Sequence, residues 1–86
     1  MKELMIYHVI TSDGDTVWGL YKRNADGNWT WFYHTGDGKT KGLITVMNYA
    51  IDYCADCMVF YDGTWFTTEQ LKEKMYEVLD SIGKEV

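Results

Sequence analysis

Residues 4–35, LMIYHVITSDGDTVWGLYKRNADGNWTWFYHT, decide the fold. Three runs within it, Leu4 to Thr11, Thr16 to Arg23 and Trp29 to Thr35, are rich in β-branched and aromatic residues, the types that suit a pleated, half-buried surface. They are separated by Ser12-Asp13-Gly14-Asp15 and by Asp26-Gly27-Asn28. Asp-Gly tolerates the positive φ angles of tight hairpin turns. The stretch therefore reads as three consecutive antiparallel strands.

Outward from it, the same punctuation recurs at 37–38 and 62–63. Asp62-Gly63 separates Met58 to Tyr61 from Thr64 to Phe66, which gives a second, shorter hairpin. Gly-Asp-Gly-Lys-Thr-Lys-Gly at 36–42 reads as a flexible connection, and apolar residues after it recur at helical spacing. At 100° per residue Leu43, Met47, Ala50, Cys54 and Cys57 share one face with Val46 beside them, opposite Thr45, Asn48, Asp52 and Asp56. An amphipathic helix over about 43–56 follows. The last segment opens on Thr67 with Gln70 three residues on, the spacing of a capping box, and Gly83 offers a left-handed stop. Leu71, Met75, Val78, Leu79 and Ile82 form its buried stripe, with Glu69, Glu73, Glu77 and Asp80 on the far side.

The expected architecture is α+β: one domain over residues 1–86, in the order β-β-β-α-β-β-α, with two helices on one face of an antiparallel sheet. A chain of 86 residues supports one core. Two short helices cover about one face, so the other face should alternate to polar residues. It does not. The third strand offers Trp29, Trp31 and Tyr33 on one side against Thr30, Phe32 and His34, and the first offers Leu4, Ile6, His8 and Ile10 against Met5, Tyr7 and Val9. A surplus aromatic surface is expected to self-associate, meet a partner or be folded over by loops.

Charge is unevenly placed. Residues 1–42 carry five acids and five bases, whereas residues 43–86 carry eight acids against Lys72, Lys74 and Lys84, which accounts for the net charge of -5. An acidic half repels nucleic acid and anionic membrane and steers basic partners toward it. No stretch has the roughly 20 apolar residues of a membrane span. The N-terminal Met-Lys-Glu-Leu-Met-Ile-Tyr lacks a signal peptide's apolar segment, so a cytoplasmic location is expected.

Motifs that could carry chemistry are few. Cys54-Ala-Asp-Cys57 closes the C-terminal end of a helix, whereas redox Cys-x-x-Cys pairs use a helix N-terminus. It reads first as a packed pair of reduced thiols, second as half of a Cys2His2 zinc site with His8 and His34, and third as a redox pair. The two histidines stand among apolar or Thr neighbours with no nucleophile and third partner, so they read as structural. Asp13-Gly14-Asp15 lacks the acid that a calcium loop needs eleven residues on, where Asn24 stands. The glycines around Lys39-Thr40-Lys41 do not have the order of a phosphate-binding loop. Aromatic strands could stack on single-stranded bases, with Lys22, Arg23, Lys39 and Lys41 near them, but no basic stripe accompanies them. No catalytic residue, cofactor or metal is therefore assigned.

The helical face Asp52, Asp56, Glu69, Glu73, Glu77 and Asp80 is one-signed, although like charges four apart cost a few tenths of a kcal/mol. The leading expectation is a non-enzymatic binding protein in which this face docks on a basic protein partner. That partner would be a nucleic-acid-processing enzyme whose site the chain occludes as a nucleic-acid mimic, without binding nucleic acid or membrane itself. In size and charge, though in no motif, the chain is similar to small phage- or plasmid-borne inhibitors and immunity proteins. The alternatives are a homodimer built on the aromatic face, with Trp29, Trp31 and Tyr33 as contact residues, and a zinc or thiol module on Cys54 and Cys57.

Overall fold

The computed structural model describes residues 2–36 and 38–84. The elements are β1 (Glu3–Ile10), β2 (Thr16–Arg23), β3 (Trp29–Thr35), α1 (Lys39–Tyr53), β4 (Met58–Tyr61), β5 (Thr64–Thr67) and α2 (Thr68–Lys84), the order expected. They form one five-stranded sheet, β3-β2-β1-β4-β5, with both helices on one face.

The sheet is mixed, which corrects the antiparallel expectation. β1 pairs antiparallel with β2 but parallel with β4, Leu4 lying opposite Val59. The cause is the connection: α1 carries the chain back along the sheet between β3 and β4, so β4 starts from the end where β3 started. The hairpins fold as their turn residues dictate. Asp62 and Gly63 both have positive φ, 53° and 79°, as a two-residue turn of matching twist requires. In the first turn the Thr11 N–H donates to the Asp15 carbonyl at 2.8 Å and the Thr11 hydroxyl bonds the Asp13 carboxylate. The third Asp-Gly spans residue 37, which lies outside the described residues, and Gly38 is the N-cap of α1.

α1 begins four residues before the expected start at 43, so Lys39 to Gly42 are helix rather than flexible connector. Two contacts fix this first turn. The Trp18 indole N–H donates to the Lys39 carbonyl at 2.6 Å, and a Cβ at Gly42 would stand 3.1 Å from the Trp18 ring. The absent side chain lets the helix settle on the sheet. α2 begins with the reciprocal cap its sequence implies: the Gln70 N–H donates to the Thr67 hydroxyl at 3.1 Å and the Thr67 N–H to the Gln70 side-chain oxygen at 2.9 Å. The helix continues through Gly83 to Lys84, so Gly83 does not stop it.

The core lies between the layers. Leu4, Ile6, Leu20 and Val59 of the sheet meet Leu43, Val46, Met47 and Ala50 of α1 and Leu71 and Met75 of α2. Each such large side chain contributes about 1.5–3 kcal/mol by leaving water. Leu79 departs from its expected place in the stripe and is exposed. A helix of 17 residues runs about 25 Å, whereas the four-residue strands β4 and β5 span about 13 Å, so the last turns of α2 extend past the β4–β5 hairpin. The molecule is 21 Å thick, the depth of one sheet and one helix layer.

Candidate functional site

Among the described residues no helix covers the second face of the sheet, and register aligns its aromatics. Trp31 pairs with Tyr21, Tyr21 with Met5, Met5 with Phe60 and Phe60 with Trp65, so one row crosses all five strands. Partners opposite each other in a sheet point to the same face, so these five side chains stand side by side. Trp31 meets Tyr21 edge to face at 4.8 Å between ring centres, and Phe60 meets Trp65 likewise at 5.2 Å. Tyr7 and Val9 extend the surface along β1 and are 51% and 44% exposed. The row spans four strand spacings, roughly 20 Å, and the patch is deeper over β1, β2 and β3 than over the four-residue strands β4 and β5. That is a continuous apolar surface rather than scattered exposed residues, and patches of this scale on monomers are often functional.

Gly19 shapes the middle of the patch. A Cβ on it would lie 2.3 Å from the Trp31 ring and 2.7 Å from the Tyr33 carbonyl oxygen, so the indole lies flat across the β2 backbone. The Trp31 indole N–H points to His34 Nδ1 at 3.4 Å, which ties the ring to its own strand. Charge on the face is confined to its border, where Arg23 and Glu3 pair at 3.1 Å and Arg23 stands 5.7 Å from the Trp29 ring centre.

Trp29 and Trp31 occupy the uncovered face as expected, but Tyr33 does not. Leu20 pairs with Tyr33 and Tyr21 with Trp31, so Phe32 is an extra residue that bulges β3. A bulge resets the alternation by one residue. His34 therefore joins the tryptophans, whereas Tyr33 turns to the helix side and stacks on Tyr49 at 3.9 Å. Phe32 packs there on Tyr53 at 5.0 Å. The residues sequence reasoning missed are Tyr21, Phe60 and Trp65. Their alternation was visible, but their common row depends on the parallel β1–β4 pairing, which has no local signal.

The acidic residues are exposed: Glu69, Glu73, Glu77 and Asp80 along α2, Asp52 near the end of α1 and Asp56 in the loop after it. Asp56 and Glu69 line one cavity of about 320 Å³ beside the N-terminus of α2, so Asp56 joins the stripe. No contact brings Asp52 to it among the described residues. Glu69 is also the acid in the first turn of α2, where it complements the helix dipole.

Cys54 and Cys57 are joined by a disulfide, Cα to Cα 5.5 Å, which corrects the reading of reduced thiols. The bridge is buried, ties the end of α1 to the start of β4, and is held near α2 by the Thr68 hydroxyl, which donates to the Ala55 carbonyl at 2.7 Å. One atom each of Cys54, Asp56 and Cys57 falls within 4.8 Å of the others, but bonded sulfurs are not the thiolates a metal needs. The proposed histidine ligands are elsewhere. His8 shares the helix side of β1 with Trp18, at 4.6 Å, whereas His34 is on the opposite face of the sheet. A Cys2His2 site is thereby excluded.

Two titratable groups are shifted by their surroundings. The Thr11 hydroxyl and the Asp15 main chain hold the Asp13 carboxyl below the usual aspartate range, and burial followed by the Asp62 charge pushes the Tyr61 phenol up. Tyr61 lines a notch together with His8 and Asp62. Among the described residues no helix is long and apolar enough to cross a membrane. No family model, curated protein or solved structure matches the chain.

Proposed function

We propose that this chain is a non-enzymatic binding protein that docks a partner protein on the uncovered aromatic face of its sheet. The observation that carries the reading is the row Trp31, Tyr21, Met5, Phe60 and Trp65, in register across every strand, with Trp65 exposed and the other four half-buried. Aromatic side chains and Met are the types enriched at the centre of protein interfaces, where few charges stand. Tryptophan, a residue type enriched among interface anchors, stands at both ends of this row. The charge distribution favours protein over nucleic acid. The cation on this face, Arg23, is already paired with Glu3, so the face offers little to phosphates.

A second reading keeps the expectation of a basic partner, an enzyme of nucleic-acid processing that the acidic helix occludes. It is favoured by Glu69, Glu73 and Glu77, exposed on successive turns of α2. The disulfide bears on place: such bonds persist in oxidising compartments, which weighs against the cytoplasmic location expected from the N-terminal residues.

Affinity capture from host extract at low and high salt separates the readings, alongside sedimentation of the isolated protein for self-association. Docking on the aromatic face is salt-tolerant and is lost with Trp31→Ser and Trp65→Ser together. Docking on the acidic face weakens steeply with salt and is lost with Glu73→Lys and Glu77→Lys. Capture unchanged by the tryptophan pair overturns the first reading.

A further inference from the structure

β1 is the central strand of the sheet, yet among the described residues half of it has a neighbour on one side only. It pairs with β2 from Leu4 to Ile10 but with β4 only from Glu3 to Met5, because β4 is four residues long and turns back at Asp62-Gly63. Beyond Ile6 the strand has an open edge within the sheet rather than at its margin.

The direction of the main-chain groups along that edge follows from hydrogen bonds at the two ends of the strand. The Lys2 carbonyl accepts from the Met58 N–H on the β4 side, whereas the Thr11 N–H donates to the Asp15 carbonyl on the β2 side. Successive residues of a strand alternate in this respect, so even-numbered residues turn their N–H and C=O toward β4. His8 and Ile10 are even-numbered and lie past the last β4 partner. Their donors and acceptors face the vacant side, and such a row is a template for another extended backbone.

The vacancy has walls. A notch of about 290 Å³ runs between Tyr7 and His8 on one side and Tyr61 and Asp62 on the other. Below it a cavity of about 440 Å³ lies between His8, Trp18 and Tyr61 and the end of α2 at Val78 and Ile82. Trp18 is a fixed floor, held by its bond to the Lys39 carbonyl. Three of the exposed large apolar side chains, Tyr7, Val9 and Ile10, belong to this half-strand. Proteins shield an edge with charge, proline or a bulge, and Ile6-Tyr-His-Val-Ile10 has neither a proline nor an acidic, lysine or arginine side chain.

We infer that the open side of β1 at His8 and Ile10 is a strand-addition site, whose occupant is an extended segment of a partner polypeptide with apolar side chains at alternate positions. The backbone selects this chemistry, since an extended peptide alone presents donors and acceptors at the two-residue repeat of the edge. The walls select its side chains: one set continues the aromatic face over Tyr7 and Val9, and the other enters the notch above Trp18. The segment lies in line with β4, and about four residues of it pair along the edge at 3.3 Å each. The inference rests on the protein-binding reading and names what the partner contributes.

Random linear peptides displayed on phage provide the probe, and selected peptides are resynthesised and titrated against the isotope-labelled protein. The His8 and Ile10 amides exchange freely in the unbound protein and become protected at least about tenfold in the complex. His8→Pro removes a donor aimed at the vacant side and spares the β2 ladder, so the protein folds and affinity falls at least about tenfold. Ile10→Lys, at a position 68% exposed, provides the same loss without a backbone change. The inference is overturned by a library that yields no binder, by bound peptides that leave both amides unprotected, or by affinities that neither variant alters. Failure of the protein-binding reading is separate, because it is read at Trp31 and Trp65 on β3 and β5, outside this slot.

Discussion

Gly19→Ala tests whether Trp31 is held flat across the sheet. Gly19 is buried, has ordinary backbone angles, and faces Trp31, whose ring atoms would stand 2.3 Å from an added Cβ. The Tyr33 carbonyl would stand 2.7 Å away, and backbone cannot swing aside as a ring can. Overpacking of this kind costs about 1–3 kcal/mol. Replacing a strand glycine returns roughly 0.5–1 kcal/mol of chain entropy, so the net loss is about 1–2 kcal/mol. In a domain of this size each kcal/mol moves Tm by about 4–8 °C, and the melting point should fall roughly 5–15 °C. Calorimetry measures the shift, and the Trp31 indole N–H resonance reports displacement from His34. In a Trp31→Ser background the ring clash is gone and the carbonyl clash remains, so the same substitution should cost about 1 kcal/mol less. A Gly19→Ala protein as stable as wild type, with an unmoved indole resonance, would refute the arrangement of the aromatic face.

Three further outcomes follow from local contacts. Thr67→Ala removes one half of the reciprocal cap on α2 and should cost about 1 kcal/mol in thermal unfolding, with Gln70→Ala close behind. The unreduced, denatured protein should show no reactive thiol; reduction should lower stability by about 2 kcal/mol, the chain entropy of a loop of about four residues, and no change on reduction would refute the bridge. Asp13 has a folded-state pKa below its unfolded value, so the turn's contribution is present above the usual aspartate range and is lost as pH falls through the lowered pKa. Thr11→Val removes the largest cause, so an NMR titration should show the Asp13 pKa rising toward the ordinary value.

How far the candidate site was legible can be traced through β3. Trp29 and Trp31 follow the period-two rule, and both stand on the uncovered face where alternation puts them. Tyr33 obeys the same rule on paper and fails it in the fold, because the extra residue at Phe32 lets two aromatics pack against Tyr49 and Tyr53 of α1. A bulge has no reliable sequence mark when it is driven by what the bulged residues touch. The connector at 36–42 fails similarly: its glycines suggest freedom, but Gly42 is there for the closeness of Trp18.

The sequence by itself determined the local elements: the hairpin turns at Asp-Gly, the cap at Thr67 and Gln70, the apolar stripes of the helices, and a sheet more aromatic than two helices can cover. Each is set by neighbours a few residues apart, whose preferences survive in any context. Only the tertiary structure decided the rest. The parallel β1–β4 pairing, the single row from Trp31 to Trp65 and the unpaired side of β1 at His8 and Ile10 all join or leave apart segments distant in the chain or in direction. Those pairings are chosen by burial of the whole core, which no short window of residues encodes.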